Sequence, residues 1–376
     1  MTPLGNATAS WGEPPWRIDF QPASRELSPE VDVAIIGGGF TGLAAAAWLR
    51  RLAPEKTTVV LEAARLGSGA SGRTGGIALA ESAAGDLPGL GDVLGGFVRI
   101  LQMLEVDCDL TLPGVWEIGR TGGWSDSSLN WSDSGGLRVV NEVPGGTVDP
   151  GKLVSGLGRA AERLGAVLVE QAAVREIRFD EPIRLALPEG ELRASKVLFA
   201  TNAQALDLSG LAGRAQAKFT LALATEALPR KTLEAAGLGQ RKAFYTVDLP
   251  YLWGRLLPTN GIVFGAGLLD IRDSRELASI QVHSGPAVER LRSMEQRVRR
   301  LHPALRSLKF THRWGGPISF GNSYRPYFGF HPRSRHVVVL GAYSGQGVTL
   351  SVYLGCWSAE VLLGRRDAPS WGALVK

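Results

Sequence analysis

The chain has 376 residues, of which 44% are hydrophobic and 20% charged, enough for a sizeable core in two domains or in one domain carrying an insertion. The net charge of +5 raises nucleic-acid binding, but the basic residues are dispersed. The densest group, RVRR at 297–300, reads as the solvated face of an amphipathic helix, which argues against a nucleic-acid partner. Two cysteines (Cys108, Cys356) and five scattered histidines have no metal-ligand spacing, so no metal site is expected. Two cysteines are too few for a disulfide framework, so a reducing, cytoplasmic setting is expected, and the sequence shows no secretory signal and no apolar run long enough to cross a membrane.

Residues 1–30 form a proline-containing arm with Trp11 and Trp16, to which the sequence assigns no role. Val31–Ile36 is a short apolar, β-branched run, the pattern of a buried parallel strand. Gly37, Gly39 and Gly42 follow as G-x-G-x-x-G, then a helix-forming stretch rich in alanine that stops before Pro54. The spacing predicts a tight turn at Gly37, close approach of a pyrophosphate at Gly39, and close packing of helix on sheet at Gly42. The helix N-terminus offers free N–H groups to phosphates. Thr57–Leu61 is a second strand ending in Glu62, 20 residues past Gly42, where a carboxylate accepts hydrogen bonds from both ribose hydroxyls and repels a 2′-phosphate. A dinucleotide is therefore expected, and NADP is disfavoured.

The next stretch, GSGASGRTGG at 67–76, is half glycine. A flexible linker is out of place so early in a doubly wound sheet. A backbone cradle for a ligand extending beyond the pyrophosphate fits, and FAD is such a ligand. Residues 145–180 read as a helix followed by a strand, and Lys196–Ala203 contains another buried strand. Residues 243–270 read as alternating strands with a hairpin at 258–261. Near the C-terminus the pattern of strand, glycine loop and helix recurs, with His336–Leu340, Gly341–Gly347 and Val348–Leu363. The N-terminus of that last helix can stabilise negative charge on a flavin ring.

The blocks VDVAIIGGGFTGLAAAAWL, LEAARLGSGASGRTGG, KVLFATNAQA, HRWGGPISFGNSYRPYFGF and GAYSGQGVTLSVYLG together resemble the FAD-dependent D-amino-acid oxidase superfamily. Within it the similarity is to the gamma-glutamylputrescine oxidase-like branch, beside glycine and sarcosine oxidases. It covers nearly the whole chain from Val31. The resemblance implies an α/β architecture: a Rossmann-like FAD domain from residues 31–85, 145–203 and 310–376, with an inserted antiparallel-sheet substrate domain from 86–144 and 204–309. It places the cofactor on Gly37, Gly39, Phe40, Thr41, Gly42, Glu62, Ala63, Arg65, Ser71, Arg73, Thr74, Gly75, Val174, Ala200 and Thr201, and on Gly345, Gln346, Gly347, Val348 and Thr349. Arg73 and Thr74 would touch the flavin, and the Thr349 hydroxyl would stand where sarcosine oxidases have a lysine.

The resemblance further implies oxidation of the C–N bond of an amine or amino-acid derivative to an imine. The electron acceptor would be oxygen, giving hydrogen peroxide. Two alternatives stay open: a dehydrogenase using a non-oxygen acceptor, and a catalytically inert flavin-bound module. Pocket candidates are Tyr251, Trp253, Arg255, Trp314 and Tyr324, and no catalytic base is assigned. Two departures stand out. Glycine-oxidase relatives have a carboxylate-binding arginine four residues after the equivalent of Trp314, where this chain has Ile318. Unless Arg255 or Arg325 takes that role, simple α-amino acids are expected to be poor substrates. Sarcosine oxidases attach FAD through a cysteine, but no cysteine lies between residues 109 and 355, so FAD is expected to be non-covalent.

Overall fold

The computed structural model describes residues 10–122 and 128–372. Two eight-stranded sheets organise them. The first has a parallel centre in the spatial order Ser334–Gly341, Gly190–Phe199, Glu30–Ile36, Thr58–Leu61, Val167–Val169. Tyr327–His331 closes one edge antiparallel, and Glu176–Arg178 and Ile183–Leu187 extend from Gly190–Phe199. The parallel strands read as continuous Val/Ile/Leu runs because both faces are buried, one under helices and the other against a second apolar cluster that includes Ile177, Ile183, Leu185 and Leu192. The five longer helices are α1 (Phe40–Leu52), α2 (Val93–Leu104), α3 (Pro150–Arg163), α4 (Gly285–Leu301) and α5 (Val348–Leu362).

Helix α1 is buried nearly all round, with Ala44–Ala47 in the core. The small residues let neighbouring backbones come close. A Cβ on Gly355 of α5 would stand 2.6 Å from the Thr41 carbonyl oxygen of α1. Strand Glu30–Ile36 has Thr58–Leu61 on one side and Gly190–Phe199 on the other, and Ile36 is in register with both Leu61 and Phe199. Gly37, Glu62 and Ala200 therefore emerge side by side at the carboxyl edge of the sheet. This is the switch point at which doubly wound sheets bind ligands.

The second sheet runs Phe310–Gly321, Ala215–Thr225, Ile262–Asp270, Trp253–Leu256, Ala243–Thr246, Val115–Gly119, Gly136–Val143, Trp131–Ser132. All its pairs are antiparallel except Ala243–Thr246 with Val115–Gly119. The hairpin at 258–261 is present, closed by Leu257 N–H to the Gly261 carbonyl at 2.8 Å. Helix α4 buries Ala287, Leu291, Met294, Val298 and Leu301.

Two segments depart from the expected partition. Phe310–Gly321 pairs along its length with Ala215–Thr225, so it belongs to the second sheet and not to the FAD-binding segment expected to begin at 310. Helix α2, expected in the substrate-binding part, packs Phe97, Ile100, Leu101 and Leu104 into the same core as α1 and α5. No helix among the described residues is long and apolar enough to cross a membrane.

Candidate cofactor and substrate site

One cavity of about 1400 Å³ starts at the carboxyl edge of the parallel sheet and reaches the face of the second sheet. At the sheet edge Gly37 has φ of +111°, and a Cβ there would lie 2.6 Å from the Ala200 carbonyl oxygen. Gly42 sits outside the lining, beneath it, where a Cβ would lie 1.9 Å from the Gly37 carbonyl oxygen. Gly39, Phe40, Thr41, Glu62, Ala63, Val174, Ala200 and Thr201 line the cavity. The Glu62 carboxylate accepts from Gly38 N–H at 2.8 Å and from Ala64 N–H at 2.9 Å. Burial pushes its pKa up and those N–H donors pull it back. Each oxygen keeps a lone pair for a ligand hydroxyl. Arg65 is exposed and stands outside the lining, contrary to its expected place in the cofactor set.

The glycine-rich loop at 67–76 is fastened to this cradle. Gly67 N–H donates to the Gly38 carbonyl at 2.9 Å, and the Ser71 hydroxyl accepts from Phe40 N–H at 2.9 Å. Ser71 thus satisfies one of the free donors at the start of α1. Ser71, Arg73, Thr74 and Gly75 line the cavity. A Cβ on Gly75 would stand 2.2 Å from the Trp253 ring and one on Gly265 would stand 1.9 Å from it, so only glycines admit that ring between them.

Arg73 was expected to contact the flavin. It lines the cavity, and its guanidinium binds backbone: Nη1 donates to the Gly12 carbonyl at 2.6 Å, Gly315 at 3.3 Å and Trp11 at 3.4 Å, and Nε donates to Ser68 at 3.1 Å. It also lies over the Trp11 ring, 5.4 Å from the centroid. Burial lowers its pKa to about 10, still charged at neutral pH. Arg73 therefore braces the loop against the arm and the second sheet.

The arm, unassigned from sequence, is part of the same structure. Trp11 is fully buried and donates to the Leu277 carbonyl, while Gly315 N–H donates to the Trp11 carbonyl. Trp16 Nε1 donates to the Gly72 carbonyl at 2.8 Å and its ring meets Trp314 edge-on at 5.5 Å. Asp19 N–H then binds the Ser155 hydroxyl on α3. The arm runs from the second sheet, across the glycine-rich loop, to the helices of the parallel sheet.

From the other side come Gly345, Gln346, Gly347 and Val348, all lining the cavity. Thr349 does not offer its hydroxyl there: Oγ1 donates to the Leu79 carbonyl at 2.5 Å and the residue is buried. What this end does present is the start of α5 with its unpaired N–H groups, and two buried polar atoms that lack partners, Gln346 Oε1 and Ser319 Oγ.

Of the pocket candidates, Tyr251, Trp253, Trp314 and Tyr324 line the cavity. Arg255 does not; it is buried behind the lining, over the Trp16 ring at 5.3 Å, with Nε unpartnered. Arg325 is exposed and outside the lining, so neither arginine replaces the missing one beside Ile318. Tyr245 also lines the cavity, its hydroxyl donating to Glu117 at 2.7 Å. So do Arg290, Ser293, Met294 and Arg297 of α4. Arg297, read from sequence as solvated, is largely buried and pairs with Asp133 at 2.6 Å.

The parallel sheet with its glycine turn, the acid at the second strand and the long cavity define a dinucleotide-binding flavoprotein. The chain belongs to the DAO family of FAD-dependent oxidoreductases, whose signature matches residues 32–142 and 133–361. It is 27% identical to gamma-glutamylputrescine oxidoreductase of Escherichia coli K12 over 388 residues, covering 92% of this chain and 86% of that one. It is 24% identical to the probable oxidoreductase OrdL of Haemophilus influenzae, with the same coverage. The fold matches glycine oxidase from Geobacillus kaustophilus with a TM-score of 0.72 at 19% identity, covering 93% and 99% of the two chains. It matches L-proline dehydrogenase from P. horikoshii with a TM-score of 0.71 at 17% identity, covering 92% and 97%.

The residues present fit FAD. Glu62 has acceptor capacity for a ribose, the glycine turn and the start of α1 face a pyrophosphate, and Gln346 Oε1 and Ser319 Oγ are polar atoms whose partners a ring with N–H and carbonyl groups can supply. Among the described residues neither a cysteine nor a histidine lines the cavity, and burial pushes the Cys108 thiol up to about 12 and the Cys356 thiol up as well. FAD is therefore expected to leave the chain on denaturation; a yellow band retained on a denaturing gel would contradict this.

Proposed function

We propose that this FAD-dependent oxidoreductase oxidises the C–N bond of an amine or amino-acid derivative to an imine, which water converts to a carbonyl compound, with oxygen as the final acceptor and hydrogen peroxide as the by-product. The observation that carries the reading is the single cavity joining the dinucleotide cradle to the aromatic face of the second sheet, bounded by Trp253, Trp314 and Tyr251. The relatives support it: one is named for gamma-glutamylputrescine, an amine, and glycine oxidase shares the fold. Bound FAD supplies the two-electron acceptor. Cytoplasmic residence fits the two buried, unpaired cysteines.

The chain's own part is to bind, orient and exclude water. Trp253 is wedged between Gly75 and Gly265, and Trp314 is fixed by its Nε1 bond to the Arg73 carbonyl at 2.9 Å, so both rings are rigid walls. Among the described lining residues there is no histidine, lysine or aspartate, and Glu62 is engaged at the sheet edge. Burial raises the Tyr245 and Tyr343 phenols above their ordinary pKa, so they keep their protons. The amine must then arrive neutral, with its lone pair free. Accordingly kcat/KM is expected to rise with pH and level off above the substrate's own ammonium pKa, about 10 for an aliphatic amine. Amines of different basicity should shift the profile; a profile that stays fixed would identify a protein base instead.

The test of the reading is an amine panel with peroxide detection, followed by reoxidation in stopped flow. Peroxide formed in step with amine loss is expected. Amine-driven bleaching of the flavin with slow reoxidation by oxygen would assign a different acceptor.

A further inference from the structure

Helix α4 presents Arg290, Ser293, Met294 and Arg297 to the cavity, at i, i+3, i+4 and i+7, a single stripe along one face. Its two arginines differ. Arg297 is neutralised: it pairs with Asp133, which also binds Arg120, and it donates to the carbonyls of Pro250 at 2.7 Å and Tyr251 at 2.8 Å. It thereby holds the rim segment that carries Val247, Leu249 and Tyr251. Arg290 is exposed at the cavity mouth, and no carboxylate pairs with it among the described residues. The rim itself is apolar: Val247, Leu249, Tyr251 and Tyr324 are all exposed large side chains that line the cavity. At the inner end Ile318 stands against the Gly345 loop, and the cation across the strand from it, Lys218, is already paired with Asp270 at 3.0 Å. With the Arg73 guanidinium engaged by backbone carbonyls and Arg297 paired with Asp133, the lining cation turned to solvent at the mouth is Arg290.

We infer that Arg290 is an anion subsite that selects amines carrying a carboxylate at the end remote from the oxidised C–N bond, joined to it by an extended apolar linker. This rests on the amine reading above. A carboxylate next to the reacting carbon meets only cations already engaged and loses its hydration, whereas one at the far end meets a guanidinium suited to it. A second ammonium at that end meets like charge.

The experiment uses the FAD-loaded protein and a matched set: an alkylamine, an ω-aminoalkanoate and a diaminoalkane of equal chain length, with the corresponding alkanoate as an unreactive probe. Binding of the alkanoate is followed by perturbation of the visible flavin spectrum. The ω-aminoalkanoate should be preferred to the diaminoalkane in kcat/KM. Arg290→Gln should weaken alkanoate binding and cut that preference by roughly five- to tenfold, Arg290→Lys should keep most of it, and Arg290→Glu should reverse it. Wild-type preference for the diaminoalkane, or a ratio unmoved by Arg290→Glu, overturns the subsite even though amines bleach the flavin. Arginine-dependent alkanoate binding without bleaching by any amine supports the subsite and defeats the amine reading instead.

Discussion

Gly37→Ala is expected to yield a folded protein that purifies without flavin. Gly37 has φ of +111°, a region in which a side chain costs about 1–3 kcal/mol. The added methyl would also lie 2.6 Å from the Ala200 carbonyl oxygen, a backbone atom of the neighbouring strand that cannot swing away. Overpacking of that kind costs a further 1–3 kcal/mol or so. The strain falls where the pyrophosphate is to bind, because Gly37 sets the path from strand Glu30–Ile36 into the N-terminus of α1. Together the two penalties should weaken FAD binding by about a hundredfold or more. The ratio of flavin to protein absorbance, with far-UV circular dichroism as the check on folding, measures it. Full flavin content in this variant would mean that the turn does not hold the cofactor.

Arg73→Ala should lower both thermal stability and FAD retention, and added FAD should recover much of the lost stability. The substitution strips hydrogen-bond donors from the carbonyls of Gly12, Gly315 and Ser68, which join the arm, the second sheet and the loop. Bonds to a charged donor contribute roughly 1.5–3 kcal/mol each, and they are not additive here, so a loss of about 3–5 kcal/mol is expected. Arg73→Lys should recover only part, since one ammonium cannot serve the directions that the guanidinium fork reaches. Melting curves with and without excess FAD read the effect. Equal FAD affinity in Arg73→Ala and the parent would show that the brace has no bearing on the cofactor.

Much of the cofactor end was legible because its chemistry constrains residue type. Gly37 and Gly39, the acid at Glu62 and the glycine-rich 67–76 loop are positions where a side chain either collides or is needed, so spacing alone exposes them. The arm was not legible because it works through main-chain groups. The carbonyls of Trp11 and Gly12 receive Arg73, and any residue has a carbonyl. Two tryptophans were a hint of burial, with nothing to say against what. The stripe on α4 was misread because helical periodicity separates apolar from polar faces without telling which polar residues border a cavity: Arg297 lines it, while Arg300 is exposed outside it. Phe310–Gly321 was assigned to the wrong sheet because strand pattern does not name a partner; the pairing with Ala215–Thr225 does. Thr349 kept its place on α5 but spends its hydroxyl on Leu79, a contact 270 residues away that no local pattern announces.

The most direct test of the account is an anaerobic amine addition to the purified protein, followed by its visible spectrum. An oxidised flavin spectrum is expected at the outset, bleaching on addition of a neutral or carboxylate-tailed amine at a pH where the amine is unprotonated. A protein that carries no flavin, or a bound flavin that stays oxidised with every amine and amino-acid derivative, would contradict it.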